Sequence, residues 1–580
     1  MQQLLGVFAF GSEPASDARM LYDALKAEHA NAGHTVHSKI ETPAGCLGIT
    51  GLDDSYAVHH GQETDRVTAI VGECGIDALV GARAVAETVG VCLNRLADAD
   101  GCFSAASFDS ASQQGWIGCD RLGFMQLYWK EHQGSLVFAS CGTYVARATA
   151  TLDVDGMTVV SMLAYGQPLG SRSMFKGVSV VGPGEILVAD RGGLSRRGIR
   201  SYEYAQSAEA ASTGELRDAF SRGLTELDRI GRPASRHVIP LSGGLDSRLI
   251  AACVSCCDQD PLTFTFGHPK SGDALLARAV ARTVGSEHLE FPLLPEGLAA
   301  TLDDVVEITS GEENVIHSHG YTAYPIVAAP GRVALSGFAG DLVLGGSWLP
   351  PSPQLAHLMV HLGAGMRSAA LGSLLNREGT RMLAEAEREI QDSYAALPEE
   401  DPYNRADHLA LLLRARRWTA NGLKLIHAHL PYRLPFFQKD FFDRILALPV
   451  EQRRHSALYM ELFSREFPSL AKIPWQRTGM PLTKGVWLPL GRSGTHIPNL
   501  RGAGRISKRY RTGFVDYEQW FAGPLRERVD SALQQMRLLE SGVLDKDAYC
   551  RLIADVGRLR APDQSLVLSL EMAAGAIGRR

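Results

Sequence analysis

The short loop SGGLDS (242–247) carries the most direct chemical signal in the sequence. A β-rich run ends at Leu241 and an apolar helical pattern begins at once, so the loop joins a strand to a helix. Two adjacent glycines, Gly243 and Gly244, let backbone amides approach an anion with no Cβ in the way. The helix N-terminus adds N–H groups and the positive end of a dipole. The hydroxyls of Ser242 and Ser247 are further donors. Asp246 would repel a phosphate unless a cation lay between them, so a nucleotide pyrophosphate and Mg²⁺ are implied together. The segment is neither G-x-x-x-x-G-K-[ST] nor G-x-G-x-x-G, which sets aside a Walker loop and a dinucleotide site. The bland alternative is an ordinary Ser/Gly turn.

Other chemistry-bearing residues are read more plainly. Cys253, Cys256 and Cys257 follow LIAA in an apolar helical run, and no second Cys or His pair stands at zinc spacing. His317 with His319, and His427 with His429, are two apart, which turns each pair to opposite sides of a strand or helix. They read as polar or packing histidines. The basic stretch RGAGRISKRYR (501–511) reads as a solvated loop, with an anion-meeting loop as its functional alternative.

The elements that must position the loop are legible as two textures. Residues 1–205 contain short apolar runs (LLGVFAF, VTAIVG, GWIGC, SLVFAS, EILVAD) broken by Gly and polar residues, with helices predicted at 15–30 and 76–97. This is an α+β pattern. Residues 206–213 (QSAEAAST) read as a linker. A helix then opens on a Ser212–Glu215 capping box, with Leu216, Phe220, Leu224 and Leu227 at helical spacing. From 214 to 580, strands alternate with amphipathic helices: HVIPL, a helix from 247, LTFTFG, a helix over 273–285. That is the signature of a doubly wound parallel sheet. Residues 404–430 and 541–575 are predicted as extra helices.

The chain has 580 residues, 45% hydrophobic and 21% charged, with a formal net charge of −6 and ten cysteines. This composition fits a globular protein of several domains. It supplies no basic field for nucleic acid and too few cysteines for a disulfide scaffold. Neither a signal peptide nor a membrane-spanning run is legible, so a cytoplasmic protein without a membrane partner is expected.

These motifs in this order resemble the asparagine synthetase superfamily. SGGLDS after a strand resembles the PP-loop of adenylating ATP pyrophosphatases. LTFTFG (262–267) and SGDALLARAVARTVGSEHLEF (271–291) resemble the family's second strand and helix, where adenine is held. The resemblance therefore places Phe266 and Gly267 at the nucleotide. VALSGFAGDLVLGG (333–346) resembles the SG-x-G-x-DE-x-x-GG segment, which places Ser336 and Gly337 at the nucleotide and Asp341 on Mg²⁺ beside Asp246. YRLPFF (432–437) resembles R-x-PF-L-D. GCFSAASFDSASQQGWIGCDRLGFMQLYW (101–129), SLVFAS and FKGVSVVGPGEIL (175–187) resemble the amidotransferase domain of the same proteins. The resemblance spans roughly 90–490. It implies an N-terminal Ntn-hydrolase-like sandwich followed by a PP-loop synthetase domain using ATP and Mg²⁺.

The departures shape the expected function. A class II glutamine amidotransferase uses a residue-2 cysteine; here residue 2 is Gln2, whose carboxamide cannot act as a thiolate. The counterpart of the family's NGEIYN loop is VGECGI (71–76), with Val71 and Ile76 where asparagines would stand. Glutamine hydrolysis is therefore not expected. Phe338 stands where asparagine synthetases have Glu and β-lactam synthetases have Tyr, and Leu342 follows Asp341 where Glu is common. In place of a family lysine near 477 the chain offers Arg477, with Lys484 nearby. Glu312 or Glu313, in the polar segment GEENVIHSHG, is the candidate for orienting or deprotonating the amine; a surface loop is the alternative. The expected enzyme is an AMP-forming ligase that adenylates a carboxylate, on a peptide or a small metabolite, and joins it to an amine. The specific expectation is a lasso-peptide macrolactam cyclase with a precursor-peptide substrate and a companion protease. A β-lactam synthetase-like or other small-molecule amide synthetase, or an ammonia-dependent asparagine synthetase, is the alternative. A different class again is a nucleotide-binding scaffold without catalysis, argued against by the cost of two buried carboxylates lacking a cation.

Overall fold

The structure, a computed structural model, describes residues 2–11, 18–51, 58–60, 66–74, 99–151, 153–198, 202–204, 210–230, 234–257, 260–318, 320–345, 365–366, 368–482 and 513–576. The predicted helix 76–97, Ile76, His319, Lys484 and the basic stretch 501–511 lie outside these residues.

Alternating side chains build the first half. In the strand Leu4–Ala9, Leu4 and Phe8 enter a core between two sheets, while Leu5, Val7 and Ala9 face the other way into a core shared with helices. That period of two is what a sheet covered on both faces requires. One six-stranded sheet runs in the order Ser179–Val180, Tyr128–His132, Ser135–Ala139, Leu4–Ala9, Gly45–Thr50, Val36–Glu41. The other runs Gly193–Gly198, Glu185–Asp190, Gln114–Cys119, Gly101–Asp109, Arg66–Cys74, Val58–His60. Their neighbours pair antiparallel, with Leu5 opposite Gly48 and Ala139, and Ala69 opposite Ala106. Helices Ala18–Asn31 and Gly142–Ala148 cover the outer face of the first sheet, and Gly156–Tyr165 joins the same core beside them. The expected N-terminal sandwich is present.

The second half opens on the expected capping box: Ser212 N–H donates to Glu215 Oε2 at 2.9 Å, and Glu215 N–H donates back to Ser212 Oγ at 3.3 Å. Leu216, Phe220, Leu224 and Leu227 of the helix Thr213–Ile230 are all buried. Five parallel strands follow, in spatial order Glu287–Phe291, Leu262–Phe266, Arg236–Pro240, Arg332–Leu335, Tyr432–Arg433. In sequence terms that is 3-2-1-4-5, so the order reverses between Arg236–Pro240 and Arg332–Leu335. A doubly wound sheet opens its ligand crevice at that switch, beyond the carboxyl ends of the strands.

Both segments expected to be helical are helical, each in more than one piece. Residues 404–430 are not one helix: Pro402–Ala410 passes into a π-helical stretch, Leu411–Thr419, before Asn421–His427 resumes. A π stretch widens the turn and re-aims its side chains. The second is 541–575, which divides into Lys546–Ala554 and Ala561–Ala576. The halves also share a core, in which Cys102, Leu122, Phe124 and Met125 pack with residues of the parallel-sheet region. Among the described residues no helix is long and apolar enough to cross a membrane.

Candidate active site at the switch of the parallel sheet

The central strand Arg236–Pro240 delivers the loop Leu241–Leu245 to the crevice, and the helix Asp246–Cys256 leaves from it. Ser247 Oγ accepts from Ser242 N–H at 3.2 Å, and Ser242 Oγ accepts from Gly244 N–H at 3.1 Å, so the hydroxyls shape the turn. Gly243 N–H donates to Asp273 Oδ1 at 3.0 Å. A Cβ on Gly243 would stand 2.8 Å from Gln476 Cβ and from Leu276 Cδ1, so close approach dictates glycine there.

The neighbouring strand Arg332–Leu335 delivers Ser336 and Gly337 to the same place. A Cβ on Gly337 would lie 3.0 Å from Asp246 Cβ and 3.1 Å from Ser247 N, so the two loops touch. Asp341 follows in the first turn of the short helix Gly340–Gly345. Asp246 accepts a hydrogen bond from the Tyr459 hydroxyl at 2.5 Å and one from the Asp341 backbone N–H. Enclosure by protein pushes the Asp246 carboxyl up to about 8, and the Asp341 charge adds to this; Tyr459, the backbone bond and Arg477 pull the other way. Water still reaches part of Asp246, and Asp341 is exposed. The expectation of two buried carboxylates is thereby corrected: one is enclosed and the other faces solvent, because it stands on the first turn of a helix at the open end of the sheet.

Arg477 lies on the small ribbon Pro474–Trp475/Met480–Pro481, its guanidinium 5.5 Å from the Trp475 ring centroid. Burial pulls the Arg477 guanidinium below its usual pKa, and Asp341 and Asp246 oppose that shift, which brings the three charges into one field. Arg414, from the π-helical stretch, enters the same field: burial lowers it, Asp341 raises it and Arg477 lowers it. Tyr459, Arg414 and Asp273 were not legible in the sequence. They come from separate helices, and no spacing ties them to SGGLDS.

Phe266 and Gly267 end the strand Leu262–Phe266. Gly267 has φ +115°, and a Cβ there would meet Phe514 Cβ at 2.8 Å; His268 N–H donates to Phe514 O at 2.7 Å. The C-terminal segment thus crosses this strand end. Phe338 makes an edge contact with Phe124 of the sandwich (centroids 4.9 Å apart) and also meets Phe437.

Glu312 and Glu313 do not form a surface loop; both are buried. Glu312 Oε2 pairs with Arg417 at 3.2 Å and accepts from the Tyr128 hydroxyl at 3.1 Å. Glu313 Oε1 meets His317 Nδ1 at 3.0 Å. Lys424 Nζ donates to the Tyr128 hydroxyl at 2.7 Å, and burial lowers that ammonium to about 8. A buried acid between domains must be paired, and Glu312 is committed to that pairing rather than open to an incoming amine.

At the other end of the chain, Gln2 O faces His427 Nε2 at 3.0 Å, and a Cβ on Gly51 would stand 2.8 Å from Gln2 Cγ. Val71 is not in a loop: it lies inside the strand Arg66–Cys74 with its side chain in the inter-sheet core. Glu73 meets Arg433 Nε and Nη2, each at 3.2 Å.

Among the described residues no group of three or more His, Cys, Asp or Glu side chains gathers as a metal site. That includes the CxxCC cluster, in which Cys253 is buried while Cys256 and Cys257 are exposed. The Asp246–Asp341 pair still suits Mg²⁺. That ion takes one or two carboxylates and completes its shell with water and substrate phosphates, and both donors are hard oxygens.

Residues 237–459 match the asparagine synthase family, and residues 80–203 match the glutamine amidotransferase domain family. The chain belongs to the asparagine synthetase superfamily, and it is an ATP-dependent, AMP-forming carbon–nitrogen ligase that makes amides. Solved structures with partial likeness include glutamine phosphoribosylpyrophosphate amidotransferase from B. subtilis complexed with ADP and GMP. It is 10% identical, the match covers 50% of this chain and 90% of that one, and the TM-score is 0.23. A second, described as the allosteric regulatory enzyme of purine biosynthesis, is 10% identical over 50% of this chain and 80% of that one, with a TM-score of 0.22. Scores this low carry no argument about this chain. No curated protein matches it.

Proposed function

We propose that the enzyme activates a substrate carboxylate with Mg²⁺-bound ATP and passes the acyl group to an amine not drawn from glutamine. The observation that carries this reading is the meeting of Asp246 and Asp341, far apart in the chain, across the switch point. Bound there, the metal would neutralise phosphate charge. Asp246 and Asp341 would hold it. Leu241, Ser242, Gly243, Gly244 and Ser247 would seat the pyrophosphate, Phe266, Gly267, Ser336 and Gly337 would flank the nucleotide, and Arg477 would offset charge on the leaving group. The carboxylate oxygen bonds to the α-phosphorus as the bond to pyrophosphate breaks. The amine then bonds to the acyl carbon as AMP leaves. Positioning and charge neutralisation supply the catalysis.

Within this class we favour a macrolactam cyclase of the lasso-peptide kind, in which an Asp or Glu side chain of a peptide is activated and the peptide's own N-terminal amine attacks. Phe338 supports it: the side chain is spent on Phe124 and Phe437, so the residue that serves the small-substrate synthetases of the family is replaced by packing. Gln2, tied to Gly51 and His427, supports an amine source other than glutamine.

The test is exchange of labelled pyrophosphate into ATP with candidate acids. Wild type should exchange and Asp246→Ala should not; undiminished exchange in the variant refutes the metal assignment. A peptide with a free N-terminus and an internal acidic side chain should lose one water in mass. Product from aspartate and ammonium instead would point to asparagine synthesis. Glutamate appearing from glutamine above a no-enzyme control would overturn the amine assignment.

A further inference from the structure

Arg248, the residue after SGGLDS, is 0% exposed, yet among the described residues no carboxylate pairs with it. Its Nη1 donates to Ile473 O at 3.0 Å and Leu470 O at 3.4 Å; its Nη2 donates to Pro474 O at 2.9 Å and Gly243 O at 3.3 Å. Nε has no partner among the described residues. Burial alone lowers the guanidinium to about 10. Burying a cation is costly unless it is hydrogen-bonded, and here four backbone carbonyls and the face of the Phe463 ring, 5.9 Å away, supply that compensation. Those carbonyls belong to two pieces of the site: the phosphate loop, through Gly243, and the start of the ribbon that carries Arg477.

A second stitch runs beside the first. Gln476 N–H donates to Gly243 O at 3.2 Å, and Gln476 Nε2 donates to Asp273 Oδ2 at 2.8 Å, while Asp273 Oδ1 holds Gly243 N–H. Gln476 directly precedes Arg477. Loop and ribbon thus form one body, and a shift of either must move the other.

We propose that Arg248 is a positioning residue that locks the Arg477 ribbon to the phosphate loop, so that seating nucleotide phosphates and placing Arg477 against them are a single event. This rests on the ATP reading above. It goes beyond that reading by assigning the placement of Arg477 to a residue that touches no substrate.

The test uses the full chain, Mg²⁺ and α,β-methylene-ATP, which cannot release pyrophosphate, with affinity read by calorimetry. Arg248→Met, close in volume and uncharged, should weaken binding by about tenfold, the scale of one charge-assisted hydrogen bond. Arg248→Lys should recover part of the loss. Arg477→Ala should weaken binding to a similar degree, and the double variant should bind no more weakly than the worse single one, since both changes remove the same contact. Arg248→Met binding within twofold of wild type, or a double variant whose loss is the product of the two single losses, overturns the proposal. Should Arg248→Met fail to fold, Arg248→Lys and Gln476→Ala replace it, each paired with Arg477→Ala in the same cycle. Wild type that does not bind the analogue removes the ATP reading itself, and the proposal falls with it. Wild type that binds while the variants are unaffected removes only the role of Arg248.

Discussion

The carboxyl end of the parallel sheet and the opening strand of the sandwich are both places where a fold of this family presents chemistry, and they differ in what surrounds the key residue. Around Asp246 polar groups converge from unconnected elements: the Tyr459 hydroxyl, the Asp341 amide and the Arg477 charge. Around Gln2 and Val71 the neighbours serve packing and domain contact: Gly51, His427 and the inter-sheet core. A scaffold survives when its alternating apolar residues survive, because burial of apolar surface drives folding whatever the catalytic residues are. A site survives only when each charged group keeps its counterpart. The sandwich has kept the first condition and carries its surviving polar side chains into the domain interface, as Glu73 does with Arg433.

That contrast can be broken in order of expected effect. Asp341→Ala should lower pyrophosphate exchange roughly a hundredfold or more, the scale of losing electrostatic support for a transferring phosphoryl group. Gln2→Cys should produce no glutamate from glutamine; glutamate release would show that the sandwich lacks only its nucleophile. Arg433→Met leaves Glu73 buried beside an apolar side chain and should cost about 3–5 kcal/mol, read as a lower denaturant midpoint, with part recovered in Arg433→Met/Glu73→Gln. A shift under about 1 kcal/mol would make the interface pair incidental.

The pH dependence follows from Asp246. Its folded value of about 8 lies above the roughly 4 of an unfolded carboxylate, so between these limits the folded chain keeps a proton that the unfolded chain has lost. This contribution to stability is complete below about pH 4, declines as pH rises, and is gone above about pH 8. Asp246→Asn should therefore melt higher than wild type at pH 8 and alike at pH 4, and saturating Mg²⁺ should raise the wild-type melting temperature most at pH 8. Smallest of all, the helix caps should be equivalent in both halves. Asp155→Ala in the sandwich and Ser271→Ala beside the crevice each remove one N-cap bond and should each cost about 1 kcal/mol by chemical denaturation.

Local rules were the legible ones. The Ser212–Glu215 box, the strand before SGGLDS and the alternation of Leu4–Ala9 each depend on residues a few positions apart, and each appears in the structure. The π-helical stretch was illegible because Leu411–Thr419 keeps an ordinary helical pattern of apolar residues; its widened turn goes with tertiary contacts, Arg416 to Val181 O and Gln126 to Arg416 O. Glu312 and Glu313 read as a polar surface segment because charge in sequence suggests solvent. Their partners Arg417, Tyr128 and His317 are set by packing.

By itself the sequence determined the two textures of the chain, the phosphate loop with its two glycines, and the aspartate that the family resemblance assigned to Asp341. These are properties of neighbouring residues, or of motifs met in order. Only the tertiary structure decided that Tyr459 would reach Asp246, that Arg248 would span from Gly243 to the Arg477 ribbon, and that Glu312 would be enclosed between domains. Each of those outcomes depends on burying a polar group against a partner more than a hundred residues away. No local preference encodes that distance; the packing of the whole chain sets it.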